Sequence, residues 1–488
     1  MSTRSLITLA VFIHVIAAVG STGYYHSDEH FQILEFAGLK LGFNSPTDMP
    51  WEYRLEMRPA IQPALAYVLI EFLGSIGLDN PFHSAIILRL CSAAIGLASA
   101  WLLYAALVRE LRSETLRRWF LALSLTTWFV VYIHIRYSAE SWSGAMFFAG
   151  LGVYLLAADQ HKPQPKLILL AGLLFGLSFA FKAQVGVLLA GFGGWLLAIK
   201  RPNVSHLARL GVGFASVVGL SICVDRWFYG HWTLTSWNYL NANIMQHNLA
   251  RFSQEPWWYY FKAIIEAAIP PYSIVLMLGI AAYCIRYWSS PITFAVIPYL
   301  LVHMALGHKE LRFLFPLVNA VPTMLVLGLQ KFVAPEGQRD IADQLKNRAA
   351  WWFVRSFIVL NVCLLTVICL TPARSQTQLL EIIYDRHYRK LYVTGGPDPY
   401  AFFELRKKFY MHEWLKVMVT TDGTAPPPDL ALERESALLG YGSFDHGAAC
   451  SAYSGYRLIY QSLPDWLRSI KFTGWQKRTK VYCLYEPA

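Results

Sequence analysis

Residues 83–108 read HSAIILRLCSAAIGLASAWLLYAALV, with Arg89 the one Lys, Arg, Asp or Glu among them. A helix needs roughly 20 mostly apolar residues to cross a bilayer's hydrocarbon core. Backbone groups find no water there, so the run must be helical to satisfy them internally. Working outward, similar runs lie near 5–23, 119–135, 142–158, 167–181, 185–199, 207–228, 269–287, 291–307, 313–333 and 351–370. The expected fold class is an all-α polytopic membrane protein with roughly eleven transmembrane helices.

Composition agrees. Of 488 residues, 55% are apolar and 15% charged, whereas soluble domains carry about a quarter charged residues. The net charge of +11 would suit a nucleic-acid partner only if it were concentrated on a domain with a recognition motif, and none is visible. Much of it lies instead in short loops. From a cytoplasmic N-terminus at Arg4, the segments 109–118 (RELRSETLRR), 159–166, 199–209 (IKRPNVSHLAR), 286–290 and 334–350 fall inside, and their basic character follows the positive-inside rule. Residues 5–20 also resemble a signal peptide, and cleavage there would still leave residue 28 outside. A transmembrane domain over 1–370, with a long outer loop at 24–82, is expected to precede a soluble extracytoplasmic domain over 371–488. That last domain is mixed α/β, with strand-like runs at 390–394, 415–420, 455–460 and 480–485.

Cys91, Cys223, Cys284, Cys363 and Cys369 fall inside apolar runs, where free cysteine behaves as a small hydrophobe, so they read as packing residues. Cys450 and Cys483 lie in the polar C-terminal region on the outer side, where a disulfide between them is permitted. The sequence shows no metal-ligand spacing, and no metal is expected. Nor is there a GxxxxGK[ST] loop or a GxGxxG between strand and helix, so no nucleotide or other cofactor is expected. Glycines cluster inside apolar runs, as in GVGFASVVG (211–219), where small residues permit close helix packing.

Chemistry concentrates on the outer side. Tyr25-His26-Ser27-Asp28-Glu29-His30 directly follows the first span. A carboxylate at a dry interface can act as a general base, or the acidic pair can cap a helix beginning near His30. Met49 to Pro59 (MPWEYRLEMRP) brings Trp51, Glu52 and Arg58 together, and an Arg there can hold phosphate in bidentate fashion or snorkel to headgroups. His308-Lys309-Glu310-Leu311-Arg312 opens the tenth span, on the wrong side for cations that merely set topology. Arg136 and Glu140 lie at an outer helix hairpin, spaced for an i,i+4 pair. Lys182 interrupts two apolar runs, either to meet a lipid phosphate or beside a helix-terminal carbonyl.

HSDEHFQ (26–32), MPWEYRLEMRP (49–59), DRWFYGHWTLTSWNY (225–239), EPWWYYF (255–261) and HKELRFLFP (308–316) occur in that order. The set resembles glycosyltransferase family 22, the lipid-phosphate-mannose-dependent mannosyltransferases of N-glycan and GPI-anchor assembly, and is most similar to the GPI branch. The resemblance implies a C-superfamily glycosyltransferase fold with its active site on the lumenal or periplasmic face. It implies an inverting glycosyltransferase that takes mannose, or a related hexose, from a polyprenyl- or dolichyl-phosphate donor. The acceptor is a lipid-linked or membrane-presented glycan, membrane lipid is the other partner, and neither nucleic acid nor a metal takes part. Carried onto this sequence, Asp28 and Glu29 become the catalytic candidates. Arg58, Lys182, His308, Lys309 and Arg312 become donor-phosphate candidates, and His26, Trp51, Glu52 and Arg136 acceptor-side candidates. Compact loops favour a bacterial inner membrane with a periplasmic site, with the endoplasmic reticulum lumen as the alternative. Two other classes stay open: a lipid or solute transporter whose charges line a path, and a lipid-phosphate aminopentose transferase.

Overall fold

The computed structural model describes residues 2–158, 164–246, 253–333, 348–420, 435–443, 450, 453–463 and 479–488. Every apolar run singled out above falls on helix. In chain order these are α1 (Thr3–Gly20), α2 (Ser27–Glu29), α3 (Glu35–Leu41), α4 (Trp51–Arg54), α5 (Ile61–Ser75), α6 (Pro81–Leu107), α7 (Glu114–Thr126) and α8 (Trp128–His134). Then come α9 (Ala139–Ala158), α10 (Pro165–Phe181), α11 (Gly186–Trp195), α12 (Val204–Tyr229), α13 (Thr235–Leu240), α14 (Tyr259–Ala268), α15 (Tyr272–Arg286), α16 (Pro291–Ala305), α17 (Ala320–Val333), α18 (Arg348–Leu370) and α19 (Ser375–Asp385). By length and composition six of the described helices can cross a bilayer, or seven if Leu311–Leu317 and Ala320–Gln330, bent by 69°, form one span. The run at 119–135 is two helices. They break at Thr127, and Asn361 of α18 mends the break: its Oδ1 accepts the Trp128 N–H at 2.9 Å and its Nδ2 donates to the Thr126 carbonyl at 2.9 Å. Backbone groups left open inside a membrane need such a partner. Most of the inner loops at 159–166 and 334–350 lies outside the described residues.

The chain forms two compact units. One holds residues 1–21, 51–72 and 84–371, and the other 22–50, 73–83 and 372–488. The change of unit at 371/372 lies beside the expected boundary at 370, while much of the loop at 24–82 groups with the C-terminal residues.

In the first unit, α10 packs on α9 and α12, α11 on α16, and α15 on α17. Small residues set the spacing. A Cβ on Gly172 of α10 would lie 2.4 Å from the Leu210 carbonyl of α12, and one on Gly213 of α12 would lie 2.6 Å from the Leu169 carbonyl. Gly211 and Gly219 face open space, so of the GVGFASVVG glycines only Gly213 serves close packing as expected. Gly144 of α9 matters most for the site. A Cβ there would lie 2.3 Å from Pro316 Cα, so the absence of a side chain lets the 3₁₀ turn Leu311–Leu317 press against α9. The cysteines in apolar runs are less buried than expected: Cys91, Cys223 and Cys363 are exposed, Cys284 and Cys369 half-buried. They lie on helix surfaces that a bilayer would cover.

The second unit carries a five-stranded mixed sheet, with β1 (Lys390–Thr394), β2 (Ala401–Phe402), β3 (Leu405–Arg406), β4 (Lys416–Thr420), β5 (Ser436–Ser443), β6 (Tyr456–Gln461) and β7 (Lys480–Pro487) in chain order. The sheet order is β4-β1-β5-β7-β6, and β2 and β3 form a separate hairpin. β1 runs parallel to β4 and β5, while β7 is antiparallel to β5 and β6. The sequence reading lacks the two-residue strands β2 and β3 and, within the sheet, β5, whose Gly440 and Gly442 depress strand propensity. Cys450 and Cys483 form the expected disulfide, tying Cys450 to β7.

Gly144→Ala is expected to destabilise the first unit by about 1–3 kcal/mol, because the added methyl meets backbone that cannot yield freely. Thermal unfolding in detergent checks this against Gly219→Ala, which should cost little; equal effects would remove the close approach as an explanation.

Candidate active site

Glu140 stands in the first turn of α9 and is 4% exposed. A carboxylate so placed needs opposite charge at contact. Lys182 Nζ donates to its Oε1 at 2.7 Å, and Arg312 Nη1 donates to the same oxygen at 3.4 Å. Arg312 also donates through Nε to Glu310, and the other Glu310 oxygen lies 2.9 Å from His308 Nε2. Lys182 reaches this point because α10 ends at Phe181 and the chain turns extended at Lys182 before a 3₁₀ turn, Ala183–Val185. Arg312 reaches it through the close approach at Gly144. Three segments that are far apart in sequence thus share one ion network that includes two carboxylates and two cations.

Arg58 lies beside it, within electrostatic reach of Lys182. Its Nη2 is 3.4 Å from Glu52 Oε1, and its guanidinium carbon is 5.7 Å from the Tyr239 ring centre. Gln184 Nε2 in turn donates to the Tyr239 hydroxyl at 2.5 Å. The Arg58 loop is held from below by residues 225–235. Asp225 accepts the Ala60 N–H at 2.7 Å and the Thr235 hydroxyl at 2.9 Å, and the Tyr229 hydroxyl donates to the Arg58 carbonyl at 2.8 Å. The DRWFYG stretch is therefore a brace for Arg58.

In the second unit, the acidic pair separates into two roles. His26 caps α2: its Nδ1 accepts the Asp28 N–H at 3.2 Å, and Glu29 Oε1 accepts the His26 N–H at 3.3 Å. Glu29 thus closes a capping box. The Asp28 side chain stays 21% exposed while Glu29 is buried, so Asp28 is the carboxylate left within reach of solvent. The turn behind them is pinned by Glu35. That carboxylate, 1% exposed, accepts His30 Nε2 at 2.7 Å, Asn44 Nδ2 at 2.6 Å and the Phe409 N–H at 3.1 Å. The His30 ring stacks on Tyr24 and Tyr410, Phe31 stacks on Phe402, and Lys408 donates to Asp48 at 2.8 Å. Residues 402–410 of the C-terminal part hold the segment that carries Asp28.

The remaining residues singled out from sequence are placed differently. Lys309 Nζ donates to backbone carbonyls of Glu255 at 2.8 Å and of Leu306, which is a loop-fastening arrangement. Arg136 is fully buried and donates to the Ser21 hydroxyl and carbonyl at 2.6 and 3.1 Å. Trp51 is 40% exposed. Glu140, the hub, carries the same signal as Lys182, a charge at a span end, but its partners lie too far off in sequence to be read. Glu35 and Asn44 carried no signal at all. No cluster of three metal-ligand side chains occurs among the described residues.

Glu140→Leu is expected to destabilise by about 3–5 kcal/mol, since it leaves buried Lys182 without the carboxylate that pairs with it. The double variant Glu140→Leu/Lys182→Met should recover part of that loss in a thermal-unfolding cycle. Strictly additive losses would show that the pair is not coupled.

The comparisons with known proteins fit this architecture. The chain is 27% identical over 292 residues to "GPI alpha-1,2-mannosyltransferase 3" of Bos taurus, a match covering 60% of this chain and 52% of that protein. It is 23% identical over 340 residues to "Mannosyltransferase APTG1" of Arabidopsis thaliana, covering 69% and 60%. The matches thus span little more than half the length of the relatives. Among solved structures, ArnT from Cupriavidus metallidurans in the apo state superposes with a TM-score of 0.51 at 12% identity, over 90% of this chain and 92% of that one, and ArnT bound to undecaprenyl phosphate gives 0.51 at 12%, over 99% and 97%. At that identity the likeness concerns the fold alone. The Alg9-like mannosyltransferase family matches residues 5–394, and this polytopic membrane protein belongs to it.

Proposed function

We propose that the protein is an inverting mannosyltransferase that moves mannose from a polyprenyl-phosphate-linked donor to a hydroxyl of a membrane-presented glycan or glycolipid, on the extracytoplasmic side. Family membership supports the sugar. The names of the relatives make a glycolipid of the GPI kind the first acceptor to try. The single observation that carries the donor assignment is the Glu140–Lys182–Arg312 network with Arg58 beside it: cations at the ends of membrane segments match a lipid phosphate better than a soluble nucleotide sugar.

The chemistry is a direct displacement at the anomeric carbon. The acceptor oxygen forms the new bond to that carbon, the bond from the carbon to the phosphate oxygen breaks, and the leaving phosphate keeps the electron pair. Asp28 takes the proton of the acceptor hydroxyl. Arg58, Lys182 and Arg312 meet the charge that grows on the phosphate, with His308 orienting Arg312 through Glu310. Glu29 holds the turn that presents Asp28. A phosphate is already a good leaving group, so this route calls for neither a general acid nor a metal.

The test uses purified protein in lipid nanodiscs, radiolabelled polyprenyl-phosphate mannose and a panel of glycolipid acceptors. Asp28→Asn is expected to lower kcat by about 10²- to 10⁴-fold with little change in donor KM, and Glu29→Gln by much less. Unimpaired transfer by Asp28→Asn would remove it as the base. Movement of substrate into vesicles without any glycosyl product would favour a transporter instead.

A further inference from the structure

His303 lies near the end of α16 and is 2% exposed. Its Nδ1 is 2.8 Å from the carbonyl oxygen of Tyr299, four residues earlier. A carbonyl only accepts, so the neutral ring carries its proton on Nδ1, and Nε2 is a bare acceptor. Among the described residues no hydrogen-bond partner meets Nε2. Buried polar atoms rarely remain so, and each such atom calls for an explanation.

Its surroundings indicate what the partner is. The Tyr299 ring lies 4.1 Å and the Phe313 ring 6.1 Å from the His303 ring, centre to centre. The Tyr299 hydroxyl is spent on the Phe313 carbonyl at 2.7 Å, so it donates nothing to the imidazole. His303 is within electrostatic reach of Lys182, and the Arg312 guanidinium carbon is 5.3 Å from the Phe313 ring centre. The imidazole thus borders the cation network without joining it. An ionised phosphate diester has no proton to give, so a bare acceptor does nothing for it. A hydroxyl does have one, and a sugar esterified to a phosphate brings several hydroxyls within a few ångströms of it.

We infer that His303 Nε2 accepts a hydrogen bond from one hydroxyl of the sugar borne by the lipid phosphate, which makes His303 a determinant of donor-sugar specificity. This rests on the assignment of Lys182 and Arg312 to the donor phosphate. A site built to pair with a hydroxyl discriminates strongly against the analogue that lacks it.

The experiment uses the full chain in nanodiscs, His303→Leu and His303→Gln, and three probes: sugar-free polyprenyl phosphate, polyprenyl-phosphate mannose, and its monodeoxy analogues. His303→Leu is expected to raise donor KM by about tenfold or more while binding sugar-free polyprenyl phosphate as the wild type does. His303→Gln, whose side-chain oxygen can accept in place of Nε2, should recover most of the loss. In the wild type one monodeoxy donor should suffer a similar penalty, and His303→Leu should not penalise that donor further. An unchanged donor KM in His303→Leu would mean that Nε2 meets only water. Equal loss of the sugar-free phosphate and the donor would mean that the ring only packs. Either overturns the inference. Should His303→Leu fail to fold, a wild type that uses every monodeoxy donor equally well overturns it on its own. A wild type that transfers mannose yet ignores sugar-free polyprenyl phosphate, with Lys182→Met unaffected, would instead sink the phosphate assignment and this inference with it.

Discussion

A carboxylate buried at the end of a membrane helix cannot stand alone, and Glu140 does not. Its oxygen gathers Lys182 from the end of α10 and Arg312 from the turn before α17. Replacing either cation would leave unpaired charge in a medium of low dielectric, which is far more costly than loss of a surface pair. The network therefore fixes the positions of two cations that no loop could hold as closely.

Other features serve the same end. Gly144 lets the Arg312 turn approach α9 at backbone distance. Asp225 and Tyr229 brace the Arg58 loop, so that a motif rich in aromatics does its work through one carboxylate and one hydroxyl. In the second unit Glu35 plays the part that Glu140 plays in the first: one buried carboxylate, three donors, and a segment held by them. The C-terminal residues, which carry no motif of their own, have a structural task in fastening the turn around Asp28.

Much of this was legible from residue order and hydropathy. Runs of apolar residues announced the helices because length and composition alone decide whether a segment can lie in a bilayer. Lys182 and Arg312 stood out because charge at such depth is expensive. The break at Thr127 was not legible, since the Asn361 that mends it is remote in sequence. Nor was the membership of residues 22–50 in the second unit, which depends on ring contacts with Phe402 and Tyr410. The division of labour in the acidic pair was half visible: a helix cap was foreseen, but the cap is His26 with Glu29 closing it, and that is what singles out Asp28.

The four-residue network of Glu140, Lys182, Arg312 and Glu310 carries equal numbers of opposite charges. Among these four residues the opposite charges balance, so the set by itself casts little field beyond its immediate neighbourhood. On the proposed donor assignment, a lipid-borne phosphate arrives by lateral diffusion in the bilayer, a search in two dimensions instead of three. On that same assignment the phosphate competes at contact with Glu140 and Glu310 for cations already in place, so that recognition is an exchange of partners in which shape, more than attraction at long range, decides what is admitted.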